Sequence, residues 1–216
     1  MTDFRIKPFV AAASLALAST WASATVVDAT GDFLASFTGA HGADLDVVSA
    51  GVLYNPNSHL FSLNATMAGN IGTTPGGIYV WGVNRGLGTA GFASIGASNV
   101  LFDMVIVINA DGSGRVSDLS GGGLPAFNFG SGTAHILGDS LSLDLADTRL
   151  PGRGFTVDRY TWNLWPRDSR VAGTAAISDF APDNSNLATT VPEPASALLA
   201  LLGLGLVGGA CRRQAR

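Results

Sequence analysis

The sequence predicts an all-β protein, an antiparallel β-sandwich of jelly-roll type, and three observations support this. Apolar and polar side chains alternate in several segments, which is the period of a strand with one buried face. Turn-forming residues recur every 8–15 residues or so along the chain. The 216 residues include a single Glu and a single Lys. Because solvated helices depend on these two residues, a helical bundle is excluded.

Three segments carry the alternation most clearly, namely Phe61–Met67, Leu141–Leu145 and Tyr160–Leu164. In each segment every second side chain is apolar, so the apolar set shares one face of a sheet. Val100–Ile108 is almost continuously apolar instead. Such a run predicts one strand that is covered on both faces.

Turn residues separate these strands and predict two hairpins. Asn55-Pro56-Asn57-Ser58 joins two alternating segments, and Asp111-Gly112-Ser113-Gly114 does the same further along. With the remaining Gly- and Pro-rich breaks, the sequence predicts roughly ten to twelve strands, which suits a sandwich or jelly roll.

The charge of the central region limits its partners. Residues 25–190 contain fourteen Asp and seven Arg but neither Glu nor Lys, a formal net charge of −7. An acidic, Lys-free surface argues against binding nucleic acid or anionic membranes. The only cysteine is Cys211, which lies outside this region. Disulfides and thiol catalysis are therefore excluded for the central region.

The N-terminal residues 1–24 have the pattern of a secretory signal peptide. Arg5 and Lys7 precede the apolar run Phe9–Ala18, and Ala22 and Ala24 supply a small-x-small site that predicts cleavage after Ala24. The run is too short for a permanent anchor, since a spanning helix needs about 20 residues. We expect the Sec translocon and signal peptidase to handle this segment.

The C-terminal residues 192–216 have three parts. Pro192-Glu193-Pro194 comes first, and the uncharged run Ala195–Ala210 follows. As a helix this run would be roughly 25 Å long, enough to cross a thin bilayer. The sequence therefore predicts a transmembrane helix that anchors a precursor. Three arginines would act as the cytoplasmic stop: Arg212, Arg213 and Arg216.

This three-part order closely resembles the PEP-CTERM sorting domain of exported bacterial proteins, over about 26 residues from Val191 to Arg216. The resemblance implies that an exosortase, a membrane protease, recognises Pro192, Glu193 and Pro194 and cuts nearby. It also implies association with exopolysaccharide, biofilm or another extracellular matrix. The predicted organisation is a signal peptide (1–24), a β-sandwich domain (25–180), a flexible stalk (181–191) and the sorting segment (192–216).

No complete catalytic set is found in the sequence. Gly138–Ser142 resembles the nucleophile block of GDSL esterases, with Ser140 as the nucleophile. That family carries the block near the N-terminus of an α/β fold and has a histidine far downstream, whereas no histidine follows His135 here. His41 and His59 are not at metal-ligand spacing either. We therefore predict a turn at Gly138–Ser142, no catalytic residues and a non-enzymatic protein.

Calcium remains open as an alternative to having no cofactor. Asn109–Ser113 is similar to the start of an EF-hand loop, but Ser120 stands where that loop needs a bidentate Glu, so a hairpin turn is favoured. Other short carboxylates lie in predicted loops, where they suit weak extracellular calcium sites, although their spacing is not diagnostic. They are Asp28, Asp32, Asp44, Asp46 and Asp183.

Aromatic residues offer a second functional alternative. Trp162 shares a strand face with Tyr160, whereas Trp165 falls on or near the opposite face, so one tryptophan could be exposed. An exposed ring could stack on a sugar, while the ordinary role of such rings is core packing. The sequence thus predicts a secreted, non-enzymatic surface or matrix protein. The alternatives are a carbohydrate-binding module using Trp162 or Trp165, and an extracellular hydrolase.

Overall fold

Two antiparallel β-sheets face each other in the computed structural model, which describes residues 25–192. The first sheet has the order β1-β2-β3-β11-β10, the second β13-β12-β4-β7-β8-β9, and β5 and β6 form a small third sheet. Short 3₁₀ helices occupy Ala43–Leu45, Ala93–Ile95, Asp147–Arg149, Val157–Arg159 and Gly173–Ala176. The strands are β1 Thr25–Val27, β2 Val47–Asn55, β3 Leu60–Met67, β4 Gly77–Asn84, β5 Thr89–Phe92, β6 Ala97–Phe102, β7 Met104–Asn109, β8 Gly114–Asp118, β9 Phe127–Phe129, β10 His135–Leu137, β11 Ser140–Ala146, β12 Thr161–Asp168 and β13 Leu187–Ala188.

The first sheet confirms the alternation seen in the sequence. β3 and β11 pair in register, with Leu63 opposite Leu143 and Phe61 opposite Leu145, and all four side chains are buried. The intervening polar residues face outward, where Ser62 donates a hydrogen bond of 2.6 Å to Asp144 on the paired strand. The inward residues form the main core against the second sheet. The all-β sandwich is therefore confirmed.

The second sheet is covered on both faces. Trp81 and Trp162 point into the main core between the large sheets. On the other face, Trp165 packs in a second core with Phe92 of β5 and Phe180 of the segment after β12. The small third sheet therefore acts as an additional layer over half of the sandwich.

Gly82 of β4 makes room for this second core. A Cβ atom at Gly82 would overlap two ring atoms of Trp165 and would lie 3.1 Å from the Cβ of Phe102. Both approaches are closer than ordinary van der Waals contact, so a larger residue would displace the indole. A glycine inside a strand thus marks the close approach of an aromatic ring.

The prediction of one strand over Val100–Ile108 is wrong in one detail. The chain breaks at Asp103, which separates β6 from β7. Asp103 is buried and holds Arg85 with its carboxylate, so it leaves the strand to make an ion pair. The predicted hairpins are both found, one joining β2 to β3 and the other β7 to β8.

The predicted flexible stalk 181–191 is also corrected. Ala181 is fully buried and exchanges two backbone hydrogen bonds with Leu164 of β12. The buried Asn163 donates from Nδ2 to the carbonyls of Pro182 and Ser185 at 2.6 and 2.8 Å. β13 then pairs with β12. The turn-rich composition suggested mobility, but the side-chain amide of Asn163 and the backbone bonds to β12 hold the segment against the sheet.

The predicted signal helix, the cleavage site at Ala22 and Ala24, and the apolar tail with its arginines lie outside the described residues. Glu193 and Pro194 do as well. Within residues 25–192, no helix has both the length and the apolar character needed to cross a membrane.

Candidate metal centre

Five aspartates from three separate segments converge at one edge of the sandwich, and we call them the acidic cluster. Asp28 and Asp32 follow β1, Asp46 directly precedes β2, and Asp179 and Asp183 lie between β12 and β13. Asp28, Asp32 and Asp183 each place one carboxylate oxygen within 4.8 Å of the others. Asp32, Asp46 and Asp179 do the same, so Asp32 belongs to both groups.

Backbone amides fix two of these carboxylates. Asp46 Oδ2 accepts a hydrogen bond of 2.7 Å from the N–H of Gly31. Gly31 has φ +82°, a left-handed conformation that glycine adopts without strain. Asp179 Oδ2 accepts from the N–H of Val47 at 2.9 Å, and its Oδ1 accepts from the N–H of Phe180 at 2.7 Å. The loop after β1 and the segment after β12 are thereby both joined to the start of β2.

The cluster runs from the surface into the protein. Asp32 and Asp183 are exposed, whereas Asp46 is only 4% and Asp179 only 2% exposed. Oδ1 of Asp46 and Oδ2 of Asp28 are buried, and neither has a hydrogen-bond partner among residues 25–192. A buried carboxylate oxygen without a partner is costly, because it has lost its hydration.

Burial and mutual repulsion disfavour the charged forms of these groups. Burial, followed by the nearby charges of Asp183 and Asp32, raises the pKa of Asp28 to about 7. Burial, with a contribution from Asp28, raises the pKa of Asp179 to about 8. Burial likewise raises the pKa of Asp46. The cluster therefore binds protons more tightly than ordinary carboxylates do.

The chain supplies no ion pair to this cluster within its described part. The four ion pairs found there involve other carboxylates, those of Asp103, Asp118, Asp147 and Asp168. An all-oxygen set without Cys or His suits hard cations such as Ca²⁺ and Mg²⁺ rather than zinc or copper. The arrangement is chemically able to hold a divalent cation.

Four of the five aspartates predicted from the sequence as calcium ligands belong to the cluster, and the fifth does not. Asp44, a predicted candidate, lies elsewhere and is fully buried, where its carboxylate accepts hydrogen bonds from the N–H and the hydroxyl of Thr74. Asp179 was missed because a single Asp between Ser178 and Phe180 has no motif around it. Only the fold brings it to Asp46.

A second group of buried charges shares no residue with the acidic cluster, and we call it the arginine network. Arg85 is fully buried and donates from Nε to Asp103 and from a terminal nitrogen to Asp118, each at 2.6 Å. Its other terminal nitrogen donates to the carbonyl of Pro151 at 3.0 Å. The network joins four chain segments, those of Arg85, Asp103, Asp118 and Pro151, and serves a structural role.

The candidate catalytic residues are not assembled within residues 25–192. Ser140 starts β11 after the predicted turn and donates its hydroxyl hydrogen to its neighbour Asp139 at 2.9 Å. His59 Nδ1 lies 3.0 Å from Asp147, which also accepts a hydrogen bond of 2.8 Å from the Tyr54 hydroxyl. That contact fastens the hairpin between β2 and β3.

The segment similar to an EF-hand start forms the hairpin between β7 and β8. Asp111 Oδ1 accepts hydrogen bonds from the N–H and the hydroxyl of Ser113 at 2.9 and 2.6 Å. These bonds lower the pKa of Asp111. The carboxylate therefore serves the turn itself.

Neither tryptophan proposed for sugar stacking is accessible, which corrects that prediction. Trp162 is 0% exposed and its indole N–H donates to Thr189. Trp165 is 2% exposed. The two rings do lie on opposite faces of β12, as the alternation predicts, but the second core covers the face that the sequence left open.

Comparison with protein-family models finds one match, the PEP-CTERM protein-sorting motif, at residues 190–214. This confirms the resemblance stated for the tail, and it leaves the β-sandwich without a recognised family. The motif implies an exported precursor that is held in the membrane and sorted by an exosortase. A search of curated proteins found no match to the chain, and a search of solved structures found none.

Proposed function

We propose that this protein is a non-enzymatic component of the cell surface or extracellular matrix, delivered by its sorting tail. The observation that carries the proposal is the match of residues 190–214 to the PEP-CTERM motif. A final location outside the cell, associated with exopolysaccharide, is what the resemblance leads us to expect. The compact β-sandwich would then be the part that is displayed.

The way the sandwich meets the motif supports this arrangement. Among the described residues, Thr190 is the last with backbone hydrogen bonds to the sheet, donating to Val52 at 2.9 Å and accepting from Tyr54 at 2.8 Å. Ala195, where the predicted transmembrane helix begins, comes five residues later. Since five residues of chain reach at most about 18 Å, the membrane-held precursor would keep its folded domain close to the bilayer.

The non-enzymatic role rests on the sequence, in which no complete catalytic set is found. The hydroxyl of Ser140 donates its hydrogen bond to the neighbouring Asp139. The raised carboxylate pKa values belong to the acidic cluster, whose oxygens converge on one another.

The sorting claim is tested by replacing Pro192, Glu193 and Pro194 with alanine in the full chain and following the C-terminal mass in the native host. We expect wild-type protein to lose its tail, and the variant to accumulate in the membrane with Arg216 retained. Ser196→Ala, a small change just beyond the motif, is the control and should be processed normally. Equal processing of all three proteins would refute the proposal.

A second candidate function is contact with a polysaccharide, through a groove rather than a tryptophan. The outer face of the first sheet has a shallow groove of about 480 Å³. The polar side chains among its lining residues offer hydrogen-bonding groups that could match sugar hydroxyls. The polar lining residues include Thr25, Ser49, Asn64, Thr66, His135, Ser140 and Ser142.

This candidate is tested by obstructing the groove. Thr66→Arg and Ser142→Arg place a long side chain on it, and Asn99→Arg makes a comparable change at an exposed residue of β6. We expect the first two variants to be retained less on host exopolysaccharide than wild type, with Asn99→Arg unaffected. Equal retention of the four folded proteins would exclude the groove.

A further inference from the structure

We propose that the acidic cluster is a calcium site, in which Asp32, Asp46 and Asp179 bind Ca²⁺ and Asp28 and Asp183 extend the coordinating surface outward. The two groups of oxygens meet at Asp32, so the five carboxylates form one continuous surface. The site is independent of how the tail is sorted.

Asp46 distinguishes this cluster from the groups of acidic residues that are common on protein surfaces. Asp46 is almost completely buried, and one of its oxygens is satisfied by Gly31. The other, Oδ1, has no hydrogen-bond partner among the described residues, while Asp46 contributes an oxygen within 4.8 Å of Asp32 and Asp179. A cation at this point would satisfy a group that folding has removed from water.

Asp28 supplies a similar observation on the outer side. Its Oδ2 is also buried without a hydrogen-bond partner in residues 25–192, next to Asp32 and Asp183. The N–H groups of Gly31, Val47 and Phe180 donate hydrogen bonds to Asp46 and Asp179. They orient these two carboxylates but do not supply a positive charge to the cluster.

The chemistry favours calcium over magnesium. Ca²⁺ accepts six to eight oxygens at 2.3–2.6 Å in irregular geometry, whereas Mg²⁺ requires a near-ideal octahedron and retains its water. The ligands here come from three separate chain segments, and such a set suits the more tolerant ion. An exported domain meets calcium at concentrations where sites of Kd about 10⁻⁴–10⁻³ M are occupied.

Bound calcium would join the two ends of the described chain. β1 has three residues and pairs only with β2, and β13 has two residues and pairs only with β12. Asp28 and Asp32 follow β1, whereas Asp179 and Asp183 precede β13. The ion would therefore stabilise two short edge strands of the sandwich, including the segment that leads into the sorting motif.

The test uses the full chain in mild detergent, stripped with EGTA and titrated with CaCl₂ by calorimetry and thermal unfolding. We expect a Kd of about 10⁻⁴–10⁻³ M. At calcium 100-fold above Kd, Tm should rise by about 5–10 °C. Magnesium at equal concentration should give less than half that rise.

Two variants and a matched control locate the site. Asp46→Asn and Asp32→Asn should each weaken calcium binding at least tenfold, and Asp158→Asn, at an exposed Asp outside the cluster, should bind as wild type does. Because Asp32 is exposed, its variant remains informative even if Asp46→Asn fails to fold. The proposal is wrong if 10 mM calcium leaves Tm unchanged, if Asp32→Asn responds as fully as wild type, or if magnesium stabilises equally well.

Discussion

The arginine network and the acidic cluster are two groups of aspartates that differ in whether the chain supplies a positive charge to them. In the network, the guanidinium of Arg85 lies 2.6 Å from both Asp103 and Asp118. In the cluster, five carboxylates converge and no ion pair is made to them by residues 25–192. Aspartates can thus be neutralised by an arginine of the same chain, or they can be left to bind a cation from solution.

The difference has an energetic consequence. The network is complete once the chain folds, so its stability depends on the sequence alone. Folding the cluster without a counter-ion brings like charges together and buries them, which opposes folding. One end of the sandwich should therefore respond to calcium, and the loops around Arg85 should not.

The largest expected effect comes from Arg85→Met. Removing the guanidinium leaves Asp103 and Asp118 buried without a partner charge, which typically costs about 3–5 kcal/mol. Thermal unfolding should show a Tm lower by about 10 °C or more, and calcium should not restore it. Arg115→Met, at an exposed arginine of β8, should change stability by no more than about 0.5 kcal/mol. An unchanged Tm for Arg85→Met would show that the two buried aspartates do not depend on Arg85 for their stability.

A smaller effect is expected from Gly31→Ala. Gly31 (φ +82°) and Gly96 (φ +90°) are both left-handed, and an added Cβ would meet nothing within 4 Å at either position. Both alanine variants should therefore lose about 1–2 kcal/mol of stability in EGTA. Only Gly31 donates to Asp46, so only Gly31→Ala should also weaken calcium binding, several-fold by calorimetry. Equal calcium affinity in the two variants would show that the loop does not position the cluster.

The smallest effect concerns Asp168, a buried aspartate that is paired with the exposed Arg170. Hydrogen bonds from the Arg170 side chain hold the pKa of Asp168 well below its ordinary value. A lowered pKa means that its stabilisation is present above about pH 4 and is lost as pH falls toward the folded-state value. The Tm of Asp168→Asn should therefore be lower than wild type at pH 6, and the gap should narrow toward pH 2. Asp158→Asn, measured in parallel, should keep the wild-type pH profile.

The alternation of apolar and polar side chains was sufficient to predict the strands that show it and which of their faces is buried. Phe61 and Leu143 are buried as the alternation requires, and the hairpin residues Pro56 and Asp111 lie in turns. It could not show that a third sheet covers Trp165, because packing between layers depends on residues distant in sequence. The break at Asp103 was hidden for the same reason, since its partner Arg85 lies on another loop.

The candidate site was only partly predictable. Loop aspartates suggested calcium, and four of the five named residues do converge. The positions of Asp44 and Asp179 could not be predicted, because a contact with a distant segment holds each carboxylate in place. The contact is with Thr74 for Asp44 and with Val47 for Asp179. The predicted stalk failed likewise, since the amide of Asn163 holds it from another strand.

Hydrogen exchange of the full chain, measured in EGTA and in saturating calcium, tests the central contrast most directly. If calcium binds the acidic cluster, the amides of Gly31, Val47 and Phe180 should exchange at least tenfold more slowly with the ion, while those of Arg85 and Leu87 keep their rates. Unchanged exchange at the first three amides, or equal slowing at all five, would contradict the account.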